Sequence, residues 1–400
     1  MQPFHVSIIG AGLGGLCLAQ GLKRAGISFD IYEKDALSHS RKQGYRIRIN
    51  EAGQTALSRC LPQDLYALFL QSCAITGSPG KLLNPDLVEI AGPDVDTWRP
   101  AATEDSAEHE VGDRSANRMT LREVLLGRLG EHVHFDKAFS RYEVDHDEKV
   151  IAIFNDGSSC RSDLLIGADG VNSVVRKQWA PDADAGYTGS SCIYGKTVLS
   201  NDVRLSVGED LCDGTSVVFA NGVTFILDAM IFREPLAALA ARVSNDCRLT
   251  PVDNYLYWAF IGPDSRLVPE NSGDLPSHVA YLTRDWHRRL RALFEYSDPD
   301  TLAMMRVRST RVADSGKEGA VTLLGDAVHA MSPAGGLGAN TALQDAAALA
   351  AFLSDVVAQR KPLGSVISSY ETDMRVRALE AIHASEQSAR KLFEFNAMKR

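Results

Sequence analysis

The sequence lacks a hydrophobic run long enough to cross a membrane as a helix. The apolar run at residues 6–9 is short, ends in glycines and has no basic segment before it, so it does not match a secretory signal peptide. We therefore expect a protein that works in the cytoplasm without a membrane partner.

Paired cysteines are also missing. The seven cysteines are scattered, without a CxxC pair and without a spacing typical of metal ligands. An odd, scattered set is typical of a reduced intracellular protein rather than of a disulfide framework. We expect neither a disulfide framework nor a metal site.

Positive charge is in deficit. Lys and Arg number 42 against 51 Asp and Glu, which gives a net charge of −9. Proteins that bind nucleic acids usually carry a basic face, so this balance argues against a nucleic-acid partner. The remaining composition, 45% hydrophobic and 23% charged, is ordinary for a globular protein. A length of 400 residues predicts two packed units.

The chain opens with the pattern strand, glycine turn, helix, strand. Residues 6–9 are a buried-strand run, and residues 13–25 carry apolar positions at helical spacing. Residues 29–32 predict a second strand that ends at Glu33. This order is typical of a nucleotide-binding α/β unit.

The middle of the chain has a different character. The sequence NDG at residues 155–157 predicts a hairpin, and alternating and aromatic runs over residues 187–261 predict an antiparallel sheet. Residues 76–117 resemble a peripheral excursion rather than sheet core. The α/β style then returns with a buried strand at residues 320–324 and an alanine-rich helix at about residues 339–353. We therefore expect one α/β domain interrupted by a substrate domain.

Gly10, Gly12 and Gly15 form a GxGxxG motif between the first predicted strand and helix. Gly10 permits the tight turn, Gly12 lets a pyrophosphate approach the backbone, and Gly15 lets helix and strand pack closely. The motif alone is a weak signal, but its flanking elements and an acid about 20 residues on strengthen it. That acid, Glu33, can accept hydrogen bonds from both ribose hydroxyls and would repel a 2′-phosphate. The site therefore suits FAD or NAD rather than NADP.

Two further segments complete a set of three motifs. The segment around Gly167 reads DLLIGADGVNSVVR, and the segment around Gly325 reads LLGDAVHAMSPAGGLGANTALQDAAALA. With GAGLGG, these resemble the three fingerprints of the class A flavin-dependent aromatic hydroxylases, a family that includes p-hydroxybenzoate hydroxylase. The motifs occur in the family's order from about residue 4 to 355.

The resemblance implies an α/β fold in which a Rossmann-type FAD-binding domain is interrupted by a β-sheet substrate domain, with a long C-terminal helix. On this sequence the FAD-binding domain comprises residues 1–75, 113–182 and 318–360, the substrate domain residues 76–112 and 183–317, and the C-terminal helix residues 361–400.

The resemblance also assigns roles within the third motif. Asp326 would bind a ribitol hydroxyl of FAD, and residues 333–338 would pass the flavin ring. The helix that starts near Gly338, Ala339 and Asn340 would point its N-terminus at the pyrimidine end of the flavin. A helix N-terminus stabilises the negative charge of reduced flavin there.

Other positions follow from the first two motifs and their surroundings. Asp169 would shape a turn beside FAD, with Asp163 and Arg176 bracing that turn. Arg118 matches a family arginine that opens a helix and reaches the phosphate and ribitol region of FAD.

Arg41 and Gly44 fall where the family has a mobile loop beside the flavin. The spacing leaves open which of Arg41, Arg46 and Arg48 faces the ring.

Four residues are candidates for the substrate cavity. Phe219 lies, by approximate register, where the family has a ring-facing aromatic, and Tyr194 is a second candidate from the predicted sheet. Pro333 and Gly335 are candidates from the loop at residues 333–338, which we call the glycine-rich loop. His329 belongs to the fingerprint and is not assigned as a general base, and no other residue identifies itself as one.

The resemblance implies a monooxygenase with FAD, transient NADPH or NADH, and O2. A flavin C4a-hydroperoxide would transfer one oxygen atom to an aromatic, phenol- or polyketide-like small molecule, in a monomer or homodimer. An epoxidase, a Baeyer–Villiger-type oxygenase or a reductase on the same scaffold stays open, whereas a halogenase is disfavoured because residues 255–263 read YLYWAFIGP in place of WxWxIP. A non-catalytic flavin-binding protein is a distant alternative, since Gly335, Gly336 and Gly338 are all present.

Overall fold

The computed structural model describes residues 3–37, 45–75, 80–91, 112–220, 222–244, 246–269, 274–312 and 319–397. Arg41 and Gly44 lie outside these residues. The strands are β1 (His5–Ile9), β2 (Ser28–Tyr32), β3 (Ile47–Ile49), β4 (Lys81–Leu83), β5 (Arg114–Ala116), β6 (Val133–His134), β7 (Phe139–Val144), β8 (Val150–Phe154), β9 (Ser159–Ser162), β10 (Leu164–Gly167), β11 (Ala185–Val198), β12 (Thr215–Ala220), β13 (Val223–Met230), β14 (Tyr255–Pro263), β15 (Ala303–Thr310) and β16 (Val321–Leu323).

The α-helices follow the same chain order. They are α1 (Leu13–Arg24), α2 (Glu51–Cys60), α3 (Gln63–Ser72), α4 (Arg118–Leu126), α5 (Val174–Trp179), α6 (Asn201–Val207), α7 (Leu236–Val243), α8 (Asp264–Leu267), α9 (Leu275–Leu282), α10 (Arg288–Glu295), α11 (Asp326–His329), α12 (Gly338–Val357) and α13 (Leu363–Ala397).

A five-stranded sheet carries the nucleotide-binding pattern. Its order is β16-β10-β1-β2-β6, and every neighbouring pair is parallel. Because parallel strands end at the same edge, the segments that follow β1, β10 and β16 meet there. The Rossmann-type α/β fold expected from the sequence is confirmed.

Small residues let two helices approach each other closely beside this sheet. A Cβ atom on Gly14 of α1 would lie 3.3 Å from that of Ala342 on α12, and one on Gly21 would lie 2.7 Å from that of Ala350. Larger side chains at these positions would push α1 away from α12. The alanine-rich composition of α12 is thus part of how the nucleotide-binding unit packs.

A small antiparallel sheet, β7-β8-β9, packs against the five-stranded sheet. Its Phe154 ring lies 4.7 Å from the ring of Tyr32 on β2. The hairpin expected at residues 155–157 joins β8 and β9, and Gly157 has a φ of +82° in its turn. The hairpin prediction is confirmed.

The second large sheet has six strands in the order β15-β11-β14-β13-β12-β4. Its pairs are antiparallel apart from β4 with β12, which are parallel. β4 corrects one expectation, because this part of residues 76–117 is not peripheral: Leu82 and Leu83 are buried in the edge of the sheet. The strand was not predicted because its apolar run is only a few residues long and is flanked by polar residues.

The two faces of the six-stranded sheet have different neighbours. Alternate residues of β14, including Trp258 and Phe260, face a core that helices α6, α9 and α10 cover. The intervening residues, including Tyr255 and Tyr257, face the core of the nucleotide-binding unit. We call this second surface the inner face.

The long C-terminal helix predicted from the sequence is present as α13, and it contacts both sheets. Near its start, the Tyr370 hydroxyl donates to the carbonyl oxygen of Leu323 on β16 at 3.0 Å. Near its end, Leu392 packs with Val217 and Phe219 of the inner face. None of the helices in the described part of the chain has both the length and the hydropathy that crossing a bilayer requires. The predicted domain boundaries stay a prediction.

Candidate cofactor site

A cavity of about 390 Å³ lies at the carboxyl ends of β1, β10 and β16. This edge of a parallel α/β sheet is where nucleotides characteristically bind. All three sequence motifs contribute to the wall. Of the residues predicted to bind the cofactor, the lining includes Gly10, Gly12, Gly15, Glu33, Arg118, Asp169, Asp326, Gly338 and Ala339.

The three glycines of the first motif differ in their surroundings. Gly10 has a φ of +109°, and a Cβ there would lie 2.4 Å from the Ala168 carbonyl oxygen. A Cβ on Gly15 would lie 2.2 Å from the Gly10 carbonyl oxygen. A Cβ on Gly12, in contrast, would meet no described atom within 4 Å. The tight turn, the close packing and the open approach expected of these glycines are all present.

Glu33 follows β2 and is buried, with 2% of the residue exposed. Its Oε2 atom accepts a hydrogen bond from the Ala11 amide at 2.8 Å, and its Oε1 atom accepts one from the Asp35 amide at 3.1 Å. These bonds fix the carboxylate beside the glycine turn. Each carboxylate oxygen can accept more than one hydrogen bond, so the group retains the capacity to bind ribose hydroxyls.

Arg118 is the first residue of α4 and lines the cavity. The Asn117 side chain caps this helix by accepting hydrogen bonds from two backbone amides of its first turn, each at 3.0 Å. One turn later, Arg122 donates from Nε to the Ala11 carbonyl oxygen at 2.9 Å. Arg122 thus braces the glycine turn. This role of Arg122 was not predicted from the sequence, although its spacing of four from Arg118 puts both arginines on one helix face.

The second motif forms a turn after β10. Asp169 accepts hydrogen bonds from the Ser173 hydroxyl at 2.5 Å and the Val174 amide at 2.7 Å, which close the turn. Burial raises the pKa of Asp169 above its usual range, and these hydrogen bonds oppose that effect. The carboxylate therefore holds the backbone in shape at the cavity wall.

Arg176 braces this turn, as expected, and joins it to the third motif. Its guanidinium donates to the carbonyl oxygens of Val171 at 2.8 Å and Ala327 at 2.9 Å. Asp163 does not share the task, and that expectation is wrong. It precedes β10, at the opposite end of the strand, where it accepts a hydrogen bond from the His5 amide at 2.9 Å.

Asn340 lies in the first turn of α12 and is almost fully buried. Its Oδ1 atom accepts a hydrogen bond from the Asn50 amide at 3.0 Å, and its Nδ2 atom donates to the carbonyl oxygens of Arg48 and Gly336, both at 2.9 Å. Asn340 therefore ties the glycine-rich loop to the junction of β3 and α2. It is not among the described residues that line the cavity, so its contact with FAD stays a prediction.

The two described arginines of the predicted mobile segment are both held by carboxylates. Arg46 Nε lies 2.5 Å from Asp228 Oδ2 on β13, and Arg48 forms an ion pair with Asp113. The Arg46 pair links this segment to the six-stranded sheet.

On the inner face of the six-stranded sheet, residues paired across neighbouring strands form two rows. Phe219 of one row packs with Ala334 of the glycine-rich loop. Tyr194 and Phe219, the predicted substrate residues, lie in neighbouring rows on this face and are both buried. The ring of Tyr45 meets that of Tyr194 edge-on, with the centroids 6.3 Å apart. The first row is Tyr194, Ala259, Ile226 and Val217, and the second is Cys192, Ile261, Thr224 and Phe219.

The glycine-rich loop lies between the inner face and α13. It begins with a short 3-10 turn, Pro333–Gly335, and Ala334 within it packs with Phe219 and Leu392. A Cβ on Gly335 would lie 3.1 Å from the Ser385 hydroxyl of α13. The described lining of the cofactor cavity includes neither Pro333 nor Gly335, and their contact with substrate stays a prediction.

These features together fit FAD. The Gly12 backbone is open to a pyrophosphate, Glu33 supplies a fixed carboxylate for a ribose, and Arg118 supplies a cation at the cavity wall. The first turn of α12, through Gly338 and Ala339, borders the same cavity and offers the positive end of a helix dipole.

Comparison with known proteins identifies the family. A model of an FAD binding domain matches residues 265–385, and a model of an NAD(P)-binding Rossmann-like domain matches residues 8–38. A solved structure from Photorhabdus luminescens subsp. laumondii TTO1, described as an FAD-containing monooxygenase, is 30% identical, with a TM-score of 0.79 and 98% of each chain covered. The chain belongs to the FAD-dependent monooxygenase family.

As a member of this family the chain is an oxidoreductase with FAD as its cofactor and O2 as its oxidant.

Curated relatives carry related names. The dual O-methyltransferase/FAD-dependent monooxygenase CTB3 of Cercospora beticola is 32% identical over 416 residues, which cover 97% of this chain and 46% of the relative. The chloroplastic zeaxanthin epoxidase of Solanum lycopersicum is 26% identical over 395 residues, which cover 94% of this chain and 53% of that protein. The chain thus spans about half the length of these relatives.

Proposed function

We propose that this monooxygenase uses NADPH or NADH to drive the insertion of one oxygen atom of O2 into an aromatic small molecule. The substrate would bind between the cofactor cavity and the inner face of the six-stranded sheet. We further propose that the protein works in the cytoplasm as a monomer or homodimer, without a nucleic-acid or membrane partner.

The composition of the inner face carries this proposal. Its two rows combine aromatic side chains, Tyr194 and Phe219, with aliphatic ones such as Ile261 and Val217. The edge-on contact of Tyr45 with Tyr194 adds a further ring to the same surface. Apolar surfaces with aromatic side chains favour a planar aromatic ligand, which gains from burial and from ring–ring contacts.

When bound, FAD supplies the activation of O2 and the transfer of one oxygen atom. The residues of this chain supply position and electrostatics. Glu33 and Arg118 hold the nucleotide part, while the N-terminal turn of α12 at Gly338 favours negative charge on the flavin. The inner face excludes water from the space where the substrate is oxidised.

The Tyr45 hydroxyl stays protonated in this arrangement and acts as a hydrogen-bond donor rather than as a base. Burial raises the pKa of its hydroxyl to about 12, with a further contribution from Tyr194. The hydroxyl donates to the Thr301 carbonyl oxygen at 2.9 Å. A phenolic substrate must therefore be deprotonated by another group or by solvent.

The relationship to a zeaxanthin epoxidase supports a second candidate, the epoxidation of a non-aromatic carbon–carbon double bond. This reaction uses the same cofactor and oxidant. The two candidates differ in what the inner face must accept, since a non-aromatic double bond does not require a planar aromatic ring.

The test is flavin reduction followed by product analysis. The purified FAD-loaded protein is mixed anaerobically with NADPH or NADH, alone and with phenols, hydroxyquinones and quinolones, each beside its ring-saturated analogue, and with non-aromatic terpenes. We expect an aromatic compound, and not its saturated analogue, to accelerate flavin bleaching and to gain one oxygen atom when O2 is admitted. Faster bleaching with terpenes alone would favour epoxidation, and no reduction by either nicotinamide would overturn the proposal.

A further inference from the structure

One carboxylate, that of Asp345 on α12, connects three segments around the third motif. Its Oδ2 atom lies 2.5 Å from His329 Nε2 and accepts a hydrogen bond from the Gly325 amide at 3.2 Å. Its Oδ1 atom accepts a hydrogen bond from Arg377 Nη2 at 3.1 Å. The side chains of Asp345 and His329 are both 0% exposed. A buried carboxylate that accepts from three directions fixes the relative positions of its donors.

Two of these donors flank the turn that presents Asp326 to the cofactor cavity. Gly325 precedes Asp326 and has a φ of +60°, in the left-handed region. His329 ends α11, the short helix that Asp326 begins, and its amide donates to the Gly325 carbonyl oxygen at 2.9 Å. Asp345 therefore holds the turn on both sides of Asp326.

The His329 ring has no other polar anchor in the part of the chain that the structure describes. Its Nδ1 atom is buried and makes no hydrogen bond to a described residue. The contact with Asp345 alone therefore fixes the ring, and through it the end of α11.

The third donor comes from the C-terminal helix. Arg377 of α13 contacts Asp345 through Nη2 and Nε, the latter at 3.3 Å, and also forms an ion pair with Asp373 on its own helix. Removing one partner of a buried ion pair leaves an uncompensated charge, which is far more costly than losing a surface pair. Arg377 and His329 are thus the two ion-pair partners that compensate the Asp345 carboxylate.

The surrounding charges favour a protonated imidazole. Burial alone would lower the pKa of His329, but the carboxylates of Asp345 and Asp326 outweigh burial and raise the pKa above its usual range. On α5, the cation Arg176 binds the Ala327 carbonyl oxygen of α11. An imidazolium and a guanidinium on one carboxylate form a stronger support than neutral hydrogen bonds would.

We propose that Asp345, His329 and Arg377 are positioning residues that hold the turn of Gly325 and Asp326 in its FAD-binding conformation, so that α13 sets how tightly the cofactor is retained. None of the three lines the cavity among the described residues, so each acts through the turn. This role is distinct from any contact that α13 makes with the substrate region.

The experiment measures FAD binding and folding separately in the full-length protein. Flavin-free protein is titrated with FAD, with flavin fluorescence as the signal, and its melting temperature is recorded without FAD. The variants are Arg377→Gln, Asp345→Asn and the conservative Arg377→Lys. The matched control is Arg375→Gln, because Arg375 lies on the same helix and pairs with Glu371 at 3.3 Å.

We expect Arg377→Gln and Asp345→Asn each to raise the FAD dissociation constant about tenfold or more, by analogy with the loss of supporting residues around bound metals. Arg377→Lys should restore most of the affinity, and Arg375→Gln should bind FAD as the unchanged protein does. The double variant that combines Asp345→Asn with Arg377→Gln should bind FAD no more weakly than the single variant with the lower affinity. The reason is that both substitutions remove the same interaction.

A lower melting temperature with an unchanged dissociation constant in Arg377→Gln and Asp345→Asn would overturn the proposal, because the network would then only anchor α13. An equal loss of affinity in Arg375→Gln would overturn it too. If Arg377→Gln does not fold, Asp345→Asn decides by the same criterion. The titration involves neither substrate nor nicotinamide, so its failure would leave the proposed aromatic oxidation untouched.

Discussion

Gly53 on α2 and Asn340 on α12 fit together without room for another atom: a Cβ on Gly53 would lie 2.2 Å from the Asn340 Oδ1 atom. The same Oδ1 atom accepts a hydrogen bond from the Asn50 amide at 3.0 Å. Asn50 in turn caps α2 by accepting a hydrogen bond from the Gly53 amide at 2.9 Å. These three residues interlock the start of α2 with the start of the helix that borders the cofactor cavity.

Replacing Gly53 with alanine tests this interlock. Gly53→Ala should lower the free energy of unfolding by about 1–3 kcal/mol, because the added methyl group displaces Asn340. Urea unfolding measures the change. The control is Gly364→Ala on α13, where a Cβ would meet no described atom within 4 Å. That variant should be unchanged or stabilised by about 0.5–1 kcal/mol, and a loss equal to that of Gly53→Ala would contradict the interlock.

The amide group of Asn340 gives a second prediction. In Asn340→Asp, an oxygen atom replaces the Nδ2 donor and faces the carbonyl oxygens of Arg48 and Gly336. Two buried hydrogen bonds are lost and a buried charge is introduced, so the free energy of unfolding should fall by about 2 kcal/mol or more. Purified protein should also carry less flavin. Unfolding identical to that of the unchanged protein would show that this amide does not hold the loop.

The protonation of His329 predicts a pH dependence of stability. The folded-state pKa of His329 is raised by Asp345 and Asp326 against the effect of burial. The stabilisation by its charged form is therefore fully present below the unfolded pKa, about 6.5, and is lost as the pH rises through the folded value. The cations packed nearby are Arg377, which binds Asp345, and Arg176, which binds the Ala327 carbonyl oxygen.

The measurement compares urea unfolding of the unchanged protein and His329→Gln from about pH 6 to about pH 9. The stability difference between them should be largest at the acidic end and shrink towards the alkaline end. A constant difference, or one that grows with pH, would mean that the histidine acts in its neutral form.

How much the sequence could predict depends on how far apart the interacting residues are. The glycine motif, Glu33 and Asp326 could be placed together because parallel strands end at one edge, and their motifs mark those ends. Arg122 braces Ala11 across 111 positions, and Asn340 binds Asn50 across 290. No local pattern encodes such pairs.

The substrate region shows the same limit. Alternation along a strand puts Tyr194 and Phe219 on one face or the other, but it does not say which face meets the cofactor. That choice depends on α6, α9 and α10 covering the opposite face, and none of these helices was predicted. The segment around Arg41 and Gly44 lies outside the described residues, and its role stays a prediction.

The inner face supplies a further test. Phe219→Ala should raise the KM for the aromatic substrate several-fold while FAD affinity stays unchanged, because the ring packs on the loop side of the sheet. Val218→Ala, on the same strand but in the opposite core, should lower stability and leave KM unchanged. Steady-state kinetics on both variants makes the comparison. Equal effects of Phe219→Ala and Val218→Ala on KM would show that Phe219 does not contact the substrate.

The most direct test of the cofactor site is FAD binding by Gly12→Ala. Gly12 has a φ of −78°, which alanine adopts without strain, and its added methyl group would meet no described atom within 4 Å. The flavin-free variant should therefore melt at the same temperature as the unchanged protein, yet its FAD dissociation constant should rise about tenfold or more, because the methyl group occupies the path of the pyrophosphate. Unchanged FAD affinity in a folded Gly12→Ala protein would contradict the placement of the cofactor over the glycine turn.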